Sequence, residues 1–161
     1  MRLSLFFAMA IVTVLVTSGC NKYRNQDWQI LTTPKGEPLI ESGAVFFTRR
    51  DKIDLSEDGS TGALLKAIPF PHQKQDFSKF LKSITKASQD INTDSILFSS
   101  FQCKINTHSQ TIDISMPVLY RADGTIFDVS ELKDKQPVSR TIVPDSWEDR
   151  IVQGIMKIAK E

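Results

Sequence analysis

Histidine and cysteine, the residues behind most metal centres and many nucleophilic mechanisms, number two each in a chain of 161 residues, and glycine numbers seven. His72 and His108 lie in separate polar segments, neither with a second histidine or a cysteine at ligand spacing, so a zinc or copper centre has no ligand set. Both are read as solvated or structural side chains. The scarcity of glycine goes with the lack of a P-loop, a Gly-x-Ser-x-Gly elbow or a dinucleotide fingerprint, which leaves phosphate cradles unsupported. An excess of one charge is missing too: 20 basic residues stand against 19 acidic ones. Bulk charge therefore attracts no polyanion, and nucleic acid is excluded as an expected partner. The chain is expected to be no enzyme and to need no cofactor and no metal.

What the sequence does have begins at its N-terminus. Arg2 precedes an almost unbroken apolar run over residues 3–16, fourteen positions long, short of the roughly 20 that a spanning helix needs. Small or weakly polar Thr17, Ser18 and Gly19 follow, then Cys20. That order predicts a secretory signal. Val16-Thr17-Ser18-Gly19-Cys20 resembles the lipobox of bacterial lipoproteins. The resemblance implies cleavage before Cys20, a diacylglycerol on its sulfur, and a membrane anchor of several acyl chains such as palmitate. A single chain binds only marginally, whereas several hold. By the same resemblance Asn21, which is not the Asp that retains many lipoproteins in the inner membrane, implies the outer membrane.

The expected division is a signal at 1–19, a polar lipidated tether at 20–27 and one domain at 28–161. Removing residues 1–19, which hold one basic residue and no acidic one, leaves 142 residues with 19 of each sign. A chain of that size buries about two-thirds of its unfolded surface, enough for a core of its own. With Cys20 assigned to lipid, Cys103 has no intramolecular partner in an oxidising compartment. A buried thiol is expected; an intermolecular disulfide and a reactive thiol remain as alternatives.

Short apolar segments punctuated by turns predict an antiparallel sheet. They fall at residues 28–31, ended by Pro34-Lys35-Gly36, at 44–48, near Ile53 and Leu55, and at 62–68 before Pro69 and Pro71. In Glu57-Asp58-Gly59-Ser60 the glycine supplies the positive φ of a turn. From Asp76 the period changes: Phe77, Phe80, Leu81 and Ile84 recur at helical spacing, which predicts a short helix near residues 77–88 with Asp76 as N-cap. Leu97, Phe101, Cys103 and Ile105, then Ile112, Ile114, Met116, Val118 and Tyr120, alternate with polar residues as a hairpin with one buried face per strand. Pro117 lacks an N–H and predicts an edge or a bulge. Ala122-Asp123-Gly124 turns into a short strand at 125–129, a polar stretch at 130–136 follows, and 141–143 is apolar. Asp145 with Glu148 reads as a capping box for a C-terminal helix whose apolar side is Trp147, Ile151, Val152, Ile155 and Ile158. The fold class is thus α+β: an antiparallel β-sheet with a C-terminal helix on one face and a second short helix.

Helix capping accounts for the acidic group Asp145, Glu148 and Asp149 better than metal ligation does. The basic pairs Arg49-Arg50 and Lys133/Lys135 are first of all solvated charge. Arg49 and Arg50 with Phe46 and Phe47 are the candidate for an exposed aromatic-basic contact with a protein partner.

Three stretches carry a family resemblance: Phe101-Gln102-Cys103-Lys104 on a strand, Leu119-Tyr120-Arg121-Ala122-Asp123-Gly124-Thr125 at a strand end, and Ile142-Val143-Pro144-Asp145-Ser146-Trp147 opening the last helix. In order and spacing they resemble the surface-adhesin E family of small bacterial lipoproteins, over about two-thirds of the mature domain. The family's C-terminal helix carries a second cysteine; here it offers Ile155, Ile158 and Ala159, so the family's disulfide has no partner for Cys103. The resemblance implies an antiparallel sheet with a helix on one face, and an adhesin-like protein-binding role without catalysis. The alternative is an envelope inhibitor, an immunity or exclusion lipoprotein acting on a toxin, a phage or a conjugation component.

Overall fold

Strand β5 (Ser60–Pro69) sets the pattern for the whole sheet. Successive side chains of an extended chain point to opposite faces, so Ala63, Leu65 and Ala67 enter the core while Gly62, Leu64, Lys66 and Ile68 turn to the other side. The computed structural model describes residues 27–85, 91–127 and 137–161. Cys20, the signal, nearly all of the tether, Lys133 and Lys135 lie outside these.

The remaining strands are β1 (Trp28–Ile30), β2 (Ile40–Glu41), β3 (Ala44–Arg49), β4 (Asp54–Leu55), β6 (Ile96–Asn106), β7 (Thr111–Ile114), β8 (Val118–Arg121), β9 (Ile126–Phe127) and β10 (Val138–Thr141). The helices are α1 (Lys74–Thr85) and α2 (Trp147–Lys160). All strand pairings are antiparallel, in the order β1-β3-β5-β6-β7-β10. Three strands carry two partners along one side: β3 pairs with both β1 and β2, β5 with both β3 and β4, though on opposite stretches, and β6 with both β7 and β8. The class is α+β, an open antiparallel sheet with the C-terminal helix and one other.

Both helices contribute to the main core, which lies on one face of the sheet. Phe46 of β3, Leu65 of β5, Phe101 and Ile105 of β6 and Ile112 and Ile114 of β7 meet Phe77, Phe80, Leu81 and Ile84 of α1 and Ile151, Ile155 and Ile158 of α2. Phe80 is the junction. Its ring stands edge-on to Phe46 at 5.6 Å and edge-on to Trp147 at 5.3 Å, arrangements that the ring quadrupole favours by about 0.5–1.5 kcal/mol beyond area burial. Arg140 of β10 ties both helices to the sheet edge. Its guanidinium donates to the Ser83 carbonyl of α1 at 2.6 Å, pairs with the Glu148 carboxylate of α2 at 3.5 Å and lies 5.7 Å from the Trp147 ring. At Gly154, α2 approaches Leu31 so closely that a Cβ there would sit 3.2 Å from the Leu31 Cβ.

Three local expectations are corrected. The first helix begins at Lys74, not 77, and Asp76 lies inside its first turn: a turn from Phe70 to Gln73 runs straight into the helix, and the Asp76 and Phe77 amides donate to the Gln73 carbonyl. Asp76 is therefore no N-cap, and positions 86–88 lie outside the described residues. At α2 the capping box sits one residue later. Asp145 takes a left-handed φ of 63°, Ser146 Oγ accepts from the Asp149 amide, and the Asp149 carboxylate accepts from the Asp145 amide. Glu148, released from capping, turns inward to Arg140. The third correction concerns the alternation over 112–120, which keeps phase only to Ile114. The Gln102 amide donates to Ser115 Oγ at 2.8 Å instead of to a strand carbonyl, and after Pro117 the phase has slipped by one, so Leu119 is buried and Val118 faces out. Pro117, which brings no N–H to a ladder, marks that irregularity.

Gly43 and Gly36 make a controlled pair. Both have positive φ, +76° and +82°, but a Cβ at Gly43 would lie 2.5 Å from the Gln73 carbonyl oxygen while one at Gly36 would meet nothing within 4 Å. Gly36→Ala should cost only the left-handed penalty of about 1–2 kcal/mol. Gly43→Ala should cost distinctly more, read as the larger drop in urea midpoint.

Candidate functional site

The face of the sheet that carries no helix divides into two halves by register. Two adjacent rows of paired residues are mainly apolar. In the first, Ile40 faces Val45 and Val45 faces Ile68; Phe98 faces Tyr120 and Tyr120 faces Ile126. The β5–β6 register, Ala67 opposite Ser99, joins the two parts. In the second row Ile30, Phe47, Lys66, Ser100 and Val118 are successive partners across five strands. Further along the strands the composition turns polar: Leu64 faces Gln102, and Gly62, Lys104, Asp113 and Ser139 form a row of their own.

Lys66 is the one charge within the apolar rows. Its ammonium lies 4.4 Å from the centre of the Phe98 ring and 5.4 Å from that of Trp28, and Phe98 in turn stacks on Tyr120 at 4.4 Å. Among the described residues no carboxylate pairs with it. Ring faces attract a cation by about 0.5–2 kcal/mol, and burial pushes the Lys66 ammonium below the usual lysine range. The sequence reading missed this residue, although its lone place in the alternating run Gly62-Ala63-Leu64-Leu65-Lys66-Ala67-Ile68 was the available signal.

The polar half forms an open trough of about 730 Å³. Its floor is the ladder from Gly62–Lys104 to Leu64–Gln102, and its walls include Lys52, Asp54, Asp58, Asp113 and Ser115. The Ser60 hydroxyl and amide hold the Asp58 carboxyl below the usual carboxylate range, the amide donating at 2.9 Å. No histidine lines the trough. It presents ammonium, carboxylate, amide and hydroxyl groups at strand spacing, an arrangement suited to polar contacts with an extended segment.

The expected contact of Phe46 and Phe47 with Arg49 and Arg50 is not an exposed cluster. Alternation along β3 sends Phe46 into the main core and Phe47 to the opposite face, with exposures of 0% and 6%. Arg49 is engaged by Asp51 in a two-pronged ion pair, its Nε donating at 2.9 Å and its Nη2 at 2.6 Å. Arg50 is exposed in a 3-10 turn. His72 packs on the Phe70 ring, and His108 closes over Gly59 in the turn after β6. Among the described residues no three of His, Cys, Asp or Glu converge as metal ligands.

Cys103 is a buried free thiol on the core side of β6. Burial pushes it up from 9.0 to about 12, against a smaller opposite effect of the Ala63 backbone. The thiolate, the reactive form, is suppressed.

No family model matches the chain, and no curated protein matches its sequence. In fold it is similar to solved structures of Haemophilus influenzae protein E. Crystal form II has 10% sequence identity and a TM-score of 0.46, covering 83% of this chain and 99% of that one. A second structure of the same protein gives 10% and 0.45, covering 84% and 98%.

Native Cys103 should label slowly with thiol reagents, and denaturant should speed the reaction. Because the folded thiol holds its proton above the pH at which the unfolded one releases it, its contribution to stability is complete below pH 9.0. It is lost as pH rises toward about 12, with a slope of at most about 1.4 kcal/mol per pH unit. Urea midpoints of wild type and Cys103→Ala, compared at neutral and alkaline pH, should therefore converge as the pH rises.

Proposed function

We propose that this protein is a non-catalytic module of the bacterial cell envelope, cleaved before Cys20, lipidated there, held on the outer membrane, and acting by binding a protein partner in an adhesin-like manner. The observation that carries the reading is the Gly19-Cys20 junction behind a fourteen-residue apolar run, eight positions ahead of the first strand at Trp28. A leader of that length targets a chain without spanning the bilayer, and acyl chains on Cys20 supply the attachment. The trough supports the contact role: it is open, polar and framed by strands, with donors and acceptors of both charges, as the rim of a protein interface is. The single domain over 28–161 is the unit that the lipid presents.

Cys20→Ser should move the protein out of the membrane fraction or leave it unprocessed. Undiminished membrane retention would overturn the anchor. For the contact, a photo-crosslinking residue at exposed Gln102 should give a protein adduct in intact cells, whereas one at exposed Lys79 of α1 should not. Equal or absent adducts at the two positions would dismiss the trough as the binding surface.

A further inference from the structure

We infer that the apolar half of the helix-free face is a membrane-docking surface, which lies on the bilayer that holds the lipid and leaves the trough and the helix layer turned away. This rests on the anchor reading above. The first support is the distribution of exposed apolar groups. Of the five large hydrophobic residues exposed among the described residues, three, Ile40 at 42%, Val118 at 37% and Ile126 at 59%, fall within the two apolar rows. Within the rows Val45, Phe47 and Phe98 are covered by their neighbours, so the apolar surface offered outward is Ile40 at one end and Val118 with Ile126 at the other. Exposed apolar groups on one face mark an interaction site.

The second support is reach. From Cys20 to Trp28 the chain advances eight residues, no more than about 29 Å when fully extended. A domain of this length is about 36 Å across, from a radius of gyration of about 14 Å. The tether therefore cannot pass around the domain, and whatever face lies next to the start of β1 stays near the bilayer. Trp28, whose ladder partner is Arg49 at the border with the polar half, packs toward the apolar half of the helix-free face, against Lys66 and beside Val45 and Phe47.

The third is the chemistry of that half. Tryptophan and tyrosine favour the boundary between lipid and water, and a lysine with an apolar stem reaches from apolar surroundings toward headgroups. Trp28, Tyr120 and Lys66 meet this description together. The carboxylates of the face lie mainly in the trough, at Asp54, Asp58 and Asp113, where docking of the apolar half leaves them in water.

The two tryptophans report on opposite faces, since Trp147 packs against Phe80 and Arg140 in the helix layer. The full lipidated protein, as Trp147→Phe and as Trp28→Phe, is reconstituted into vesicles of phosphatidylglycerol and phosphatidylethanolamine with brominated acyl chains. Trp28 should lose emission to the bromine while Trp147 keeps its own. Adding Val118→Asp and Ile126→Asp, both at exposed positions, should restore Trp28 emission with flotation unchanged. If neither tryptophan is quenched, or both are quenched alike, while the protein floats with the vesicles, the docking surface is disproved and the anchor stands; the apolar rows then belong to a protein contact. Failure to float overturns the anchor reading itself.

Discussion

The register of β5 on β6 is the constraint on which the other elements depend. From Ser60 opposite Asn106 to Ala67 opposite Ser99, the two central strands run paired without interruption, and each carries further strands along its outer side. A slip of either strand by one residue would exchange its faces. On β5 it would drive Lys66 into the helix layer and expose Leu65; on β6 it would do the same with Gln102, Lys104, Phe101 and Ile105. The identity of the helix-bearing face, the apolar rows and the polar trough all follow from this one alignment.

The helix layer is fixed to that sheet by groups far apart in sequence. Arg140 reaches the carbonyl of Ser83 and the carboxylate of Glu148, and Arg150 of α2 donates through Nε to Glu41 of β2 at 3.0 Å. These bonds join the two ends of the sheet through α2. The charge-assisted bonds are stronger than neutral ones, and the burial of Glu148 makes its partner necessary, because a carboxylate left unpaired there is costly. Phe80 does the equivalent work with rings. The result is one sheet face closed by the helix layer and one face that carries no helix.

Much of this was legible in the residues. The alternation of Ala63, Leu65 and Ala67, the turn at Gly59, the hairpin around Asn106 and the stripe Ile151, Ile155 and Ile158 encode their own geometry through periodicity, and the burial of Cys103 followed from its strand phase. What failed was decided by single atoms or by long-range partners. Ser115 took the place of a ladder carbonyl and shifted the phase of β8. Ser146 displaced Asp145 as the cap, and Glu148 was drawn inward by an arginine on a distant strand. The candidate site was least visible: Phe46 and Phe47 read as an exposed pair, because adjacency in sequence hides the fact that neighbours on a strand face opposite ways. Lys66 gained its significance only from ring partners on β1 and β6, which no local window contains.

The close approach of Gly154 to Leu31 has a consequence for the order of folding. Leu31, the residue after β1, is covered by α2, so the core closes only once that helix has packed. A chain interrupted before Trp147 would leave Leu31, Phe46 and Phe80 without their cover. Closure of the core is thus a long-range event, completed only when α2 folds back over residues of β3 and the segment after β1.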